Sequence, residues 1–227
     1  MKVVLFGATG MVGQGVLREC LLDPGVEPVI TIGRSAPAVS NSKLHTIVQP
    51  DLFHYSSIEP QLTGVDACFF CLGVSSAGMS EEQYEKLTYT LTLAAGEALS
   101  RLNPAMTFVY VSGAGTDSTE KGRVMWARVK GKTENALMRM PFKGAYMFRP
   151  GIIQPTHGEI SKTKAYRILY AVFKPLFPLV RRLFPRQVLT TEQIGRAMIH
   201  VARHGAPKKI LEIGDIAACA TSESAAS

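Results

Sequence analysis

Tryptophan occurs once in the 227 residues, histidine five times and cysteine four times. Each scarcity removes a class of function. Cys68 and Cys71 have CxxC spacing, but they sit inside the apolar run VDACFFCLG. A redox CxxC belongs at an exposed helix start, so these are read as buried structural thiols. His200 and His204 share a helix face at i, i+4, with no evident third ligand for a metal, so no metal site is expected. No zinc-finger, basic-helix or aromatic RNA-binding pattern is present, which argues against nucleic acid. A transmembrane helix needs about 20 consecutive apolar residues. The apolar stretches within 161–186 are interrupted by Lys174, Pro175 and Pro178. Lys2 leads straight into the first strand, so no signal peptide is expected and a reducing cytoplasm fits. Internal repeats and interdomain linkers are also lacking, and at this length the chain has ample core for one domain.

What is present is concentrated at the start. Val3 to Phe6 is a short apolar run, read as a buried strand. Gly7, Gly10 and Gly13 follow at three-residue spacing. Then Val12, Val16, Leu17, Leu21 and Leu22 make the apolar side of a helix. Strand, glycine turn and helix are the context that a dinucleotide fingerprint requires. The first glycine permits a tight turn, the second lets backbone approach a pyrophosphate, and the third lets the helix lie close to the strand. Helix N-terminal amides then face the phosphates. The formal net charge of +7 suits such an anionic ligand.

Further strands are expected at 28–33, 44–49, 65–71, 106–112, 143–149 and 208–213, alternating with helices. That pattern predicts an α/β fold with a doubly wound parallel sheet of Rossmann type. Ligands bind beyond the carboxyl ends of such strands. The second strand ends in Arg34-Ser35 with no acidic residue. An acid there accepts from the ribose hydroxyl of NAD, whereas Arg suits the 2′-phosphate of NADP, so NADP(H) is expected over NAD(H). Asp51 can reach the adenine amino group or cap a helix. Leu72 and Gly73 leave the fourth strand where backbone lines the adenosine side.

The stretches GATGMVG at 7–13, DACFFCLG, VYVSGAG at 109–115, WARVKGKTE at 126–134 and FRPG at 148–151 resemble the short-chain dehydrogenase/reductase superfamily. More narrowly they resemble its atypical, NmrA-like NAD(P)-binding members. The resemblance runs along the chain up to the tail. It implies a cofactor held by Gly7, Thr9, Gly10, Met11, Val12, Gly13, Arg34, Asp51, Leu72, Gly73, Lys130 and Pro150. It also implies catalytic roles for Ser112, which would hold a substrate carbonyl, and for Lys130, which would hold the nicotinamide ribose. Trp126 stands where active members carry the proton-donating Tyr. An indole N–H is a donor only and does not exchange a proton near neutrality. Tyr84, Tyr89, Tyr110, Tyr146, Ser112 or water remain as proton sources, and binding without turnover remains an alternative. Trp126, Gly151 and His157 are assigned to the substrate pocket.

The segment 161–186 mixes large apolar side chains with cations. It is read as a lid within a small C-terminal substrate lobe, with peripheral membrane contact or a homodimer contact as alternatives. Residues 1–216 are assigned to the domain and 217–227 to a flexible tail. The expected function is that of an NADP(H)-dependent oxidoreductase acting on a small carbonyl or sugar-like substrate. A non-catalytic NADP(H)-binding regulator is the alternative.

Overall fold

The computed structural model describes residues 1–159 and 187–224. Its centre is strand β1 (Val3–Phe6), every residue of which is buried. An uncharged strand hidden on both faces has to sit mid-sheet between helical layers. β1 pairs in parallel with β2 (Val29–Gly33) on one side and β4 (Ala67–Phe70) on the other. With β3 (Leu44–Val48), β5 (Thr107–Val111), β6 (Gly144–Arg149) and β9 (Ile210–Glu212), the sheet order is β3-β2-β1-β4-β5-β6-β9. All six pairings are parallel. The chain reverses its direction of travel across the sheet between β1 and β4, so the loops there diverge and leave a crevice.

Alternation along β1 sends Val3 and Leu5 to one layer and Val4 and Phe6 to the other. The first layer holds α1 (Met11–Leu22), α5 (Thr191–His204) and α6 (Ile213–Ser224). The second holds α3 (Leu91–Leu102) and α4 (Met125–Arg139), packed over Phe70 and Phe108. The doubly wound sheet expected from the alternating pattern is the observed fold.

Several local expectations change. A π-helical turn, Lys86–Thr90, lies between α2 (Glu81–Glu85) and α3. A capping box opens α2: Ser80 accepts from the Gln83 amide, and Gln83 accepts from that of Ser80. Helix α4 begins at Met125, after a turn. The Asp117 carboxylate accepts from the amides of Thr119 and Gly122, holding those residues in a turn. Residues 217–224 are not a loose tail. They complete α6, because Ile216 and Ala220, one turn apart, bury their side chains in the layer beside α5. A two-stranded parallel sheet, β7 (Ile152–Gln154) with β8 (Val188–Thr190), was not expected. The lid, membrane and dimer readings of 161–186 lie outside the described residues. Among those described, no helix is long and apolar enough to cross a membrane.

Candidate cofactor site

The turn after β1 uses its glycines for two different ends. Gly7 has φ +80°, and a Cβ there would lie 2.7 Å from the Cys71 carbonyl carbon. A Cβ on Gly13 would lie 2.0 Å from the Gly7 oxygen. Both positions are therefore closed by the protein itself. At Gly10 the nearest such atom is the Gly7 oxygen at 3.4 Å, an ordinary approach, so the fold leaves that side open. Gly10 is also the N-cap of α1 and offers no side-chain cap, and no acidic residue occupies the first turn. The first amides of the helix thus have no intrahelical acceptor, and nothing negative shields them.

Above this turn is a cleft of about 590 Å³ at the carboxyl ends of the central strands. Gly7, Thr9, Gly10, Met11 and Val12 form its floor; Arg34, Leu72 and Gly73 line one end, and Ser112, Lys130, Pro150 and Gly151 the other. Gly13 lies behind the floor, packed on Gly7. Among the described lining residues the only charged side chains are Arg34 and Lys130, both cationic. Arg34 is exposed, with no hydrogen bond or ion pair to a described residue. Its guanidinium is free to meet an anion at the end of β2.

Besides Gly13, three assigned residues do not line this cleft. Asp51 is exposed and caps its own turn, accepting from the Phe53 amide at 2.8 Å and lying 2.7 Å from His54 Nδ1. Those hydrogen bonds lower its pKa, and the neighbouring Leu52 lines the cleft in its place. His157 lies in an adjoining cavity, with Nε2 3.2 Å from a Glu192 carboxylate oxygen. Trp126 lines neither cavity and stands against the Gly115 backbone.

The Lys130 end of the cleft differs most from expectation. Lys130 donates from Nζ to the Ser112 carbonyl oxygen. Burial pushes its ammonium down to about 8, and the Glu134 carboxylate opposes that shift. The Ser112 hydroxyl is taken up within the protein. It donates to Glu134 Oε1 at 2.5 Å, with the Phe148 carbonyl 3.1 Å away. Ser112 therefore borders the cleft with its hydroxyl already engaged by Glu134, where the expected role has it holding a substrate carbonyl. Glu134 is wholly buried and is paired through both oxygens with Arg149. Arg149 also donates to Ser118 and meets Glu212. Sequence reasoning missed Glu134 and Arg149. The available signals were the i, i+4 spacing of Lys130 and Glu134 and the Arg immediately before Pro150. None of the four tyrosines considered as proton donors lines the cleft. Tyr84 and Tyr110 are core residues, and burial drives the Tyr110 phenol far up. Tyr146 lies under the Lys209 ammonium and Tyr89 under that of Lys132.

This fold defines a class: the doubly wound α/β proteins of Rossmann type. Solved structures agree. The Bordetella bronchiseptica enzyme WbmF in complex with NAD+ superposes with a TM-score of 0.70, covering 99% of this chain and 77% of that one at 16% identity. The UDP-N-acetylglucosamine 4-epimerase of Methanobrevibacter ruminantium gives 0.69, over 93% of this chain and 75% of that one, at 14% identity. At such identities the likeness is one of fold.

Within that class the chain belongs to the Fmp52 family. It is 32% identical to the mitochondrial protein fmp52 of Emericella nidulans over 177 residues, 75% of this chain and 74% of the relative. It is 31% identical to that of Aspergillus clavatus over 171 residues, 72% and 71% of the two chains. No family model matches. The mitochondrial names of these relatives overturn the cytoplasmic expectation.

Proposed function

We propose that this protein binds NADP(H) in the cleft and is an oxidoreductase of the short-chain kind, reducing or oxidising a small carbonyl or sugar-like substrate. The observation that carries the proposal is a cleft whose only described charges are two cations, one at each end. Arg34 would take the 2′-phosphate of the adenosine ribose, the α1 amides the pyrophosphate, and Lys130 the nicotinamide ribose. Bound NADPH supplies a hydride. The chain's own residues hold the nucleotide, and Pro150 and Gly151 shape the space beside the nicotinamide. Lys130 is the only described lining side chain whose proton is held near neutrality, so it is also the group placed to supply a proton to a developing alkoxide.

Two observations favour a second reading, binding without turnover: the absence of a phenol among the described lining residues and the engagement of the Ser112 hydroxyl by Glu134. Titration with NADPH and NADH, followed by NADPH oxidation over a panel of carbonyl compounds, separates the two. The oxidoreductase proposal expects tight NADPH binding and turnover lost in Lys130→Ala. Tight binding with no turnover across the panel supports the second reading, and absence of nucleotide binding overturns both.

A further inference from the structure

We propose that Glu134 is the positioning residue for Lys130, acting through Ser112. Helix α4 clasps Ser112 by both of its oxygens. Lys130 donates to the carbonyl, and one turn further along Glu134 accepts the hydroxyl proton. Both contacts converge on the residue just past the end of β5, so the direction of the Lys130 side chain is tied to that of Glu134. Glu134 is itself fixed. It has no exposed surface, and Arg149 at the end of β6 grips both of its oxygens. The Arg149 side chain is only 10% exposed. Buried ion pairs contribute little net stability, because desolvating the charges offsets their attraction. This pair has a consequence beyond packing: the carboxylate bears directly on the cleft lysine.

Among the described residues, the charged and titratable groups around Lys130 are few. Glu134 comes from its own helix and is the one whose charge acts on it appreciably. Arg149, on β6, is answered by Glu134 and Glu212. Cys71, at the end of β4, lines the same cleft and is held in its neutral thiol form by burial. The β1–α1 turn contributes no charged side chain to the cleft. Burial favours the neutral amine and the Glu134 carboxylate favours the ammonium. Removing the carboxylate must therefore release the Lys130 proton at lower pH. On the cofactor reading, the same change weakens NADPH binding first on the alkaline side.

The test is competitive acylation of Lys130 in the full-length protein with acetic anhydride across neutral to alkaline pH, read by peptide mass spectrometry. The wild-type midpoint is expected near the value of about 8 given by burial. Glu134→Gln is expected to lower it by about one unit. Should Glu134→Gln alone fail to fold, Glu134→Gln with Arg149→Met removes the orphaned guanidinium and is expected to shift the midpoint in the same direction. A folded variant whose Lys130 midpoint stays in place overturns the proposal, since a purely structural role leaves the titration unmoved. The acylation requires no nucleotide. A failure of wild-type protein to bind NADPH would thus count against the cofactor reading alone, while the midpoint still judges Glu134.

Discussion

The two ends of the cleft are built on opposite plans. The Arg34 end is made of backbone and one exposed side chain: a glycine turn, the bare start of α1 and the Arg34 guanidinium. The Lys130 end is made of side chains wired to one another, Lys130 to Ser112, Ser112 to Glu134, Glu134 to Arg149. Amides and an exposed Arg can bind a phosphate wherever one docks. A buried ammonium needs its neighbours placed before it can hold either a direction or a proton. Tolerance should therefore differ between the ends: the first fails by steric blockage, the second by loss of one partner.

The largest effect should come from Gly13→Val. Its Cβ would lie 2.0 Å from the Gly7 oxygen, so α1 must move off the sheet. A loss of about 3 kcal/mol or more is expected, read as a lowered urea midpoint. Gly10→Val contrasts with it sharply. The fold leaves room there, so Tm should change little while NADPH affinity falls by about two orders of magnitude, measured by fluorescence titration. Equal destabilisation by the two variants would remove the distinction between packing and ligand glycines.

Arg34→Ala should come next. Loss of one charge-assisted contact to a 2′-phosphate costs about 1.5–3 kcal/mol, so the NADPH-over-NADH preference should shrink tenfold or more. An unchanged ratio would mean that Arg34 does not meet the phosphate. NADPH affinity should also decline as pH rises through about 8, where Lys130 gives up its proton. The sign for stability is opposite. The folded pKa lies below the ordinary 10.5, so burying the ammonium penalises the fold below about 8, and the penalty fades as pH climbs toward 10.5. The smallest effect is assigned to Ser112→Ala. Its hydroxyl links Glu134 to the residue whose carbonyl holds Lys130, so NADPH affinity should fall about threefold to fivefold by the same titration.

Much of the Arg34 end was legible because its determinants are neighbours in the chain. Four apolar residues, three spaced glycines and an amphipathic run specify strand, turn and helix with no help from elsewhere. Arg34 was legible because it follows its strand directly. Asp51 misled because a carboxylate two residues before an amide can cap its own turn, and does so. His157 misled because Glu192, 35 residues away, draws its ring into the adjoining cavity. The tail misled because small residues look featureless alone, yet Ala220 packs closely beside α5 once Ile216 anchors the helix.

Sequence alone determined the alternation of strands and helices, the phosphate turn and the cationic strand end, since each rests on periodicity or backbone freedom within a few residues. Tertiary structure decided which way Ser112 points and how the Lys130 proton is held. Glu134 lies 22 residues from Ser112 and 15 from Arg149 along the chain. Only the packing of α4 against the ends of β5 and β6 makes them neighbours. Burial, the quantity that moves a pKa, does not exist until that packing is complete.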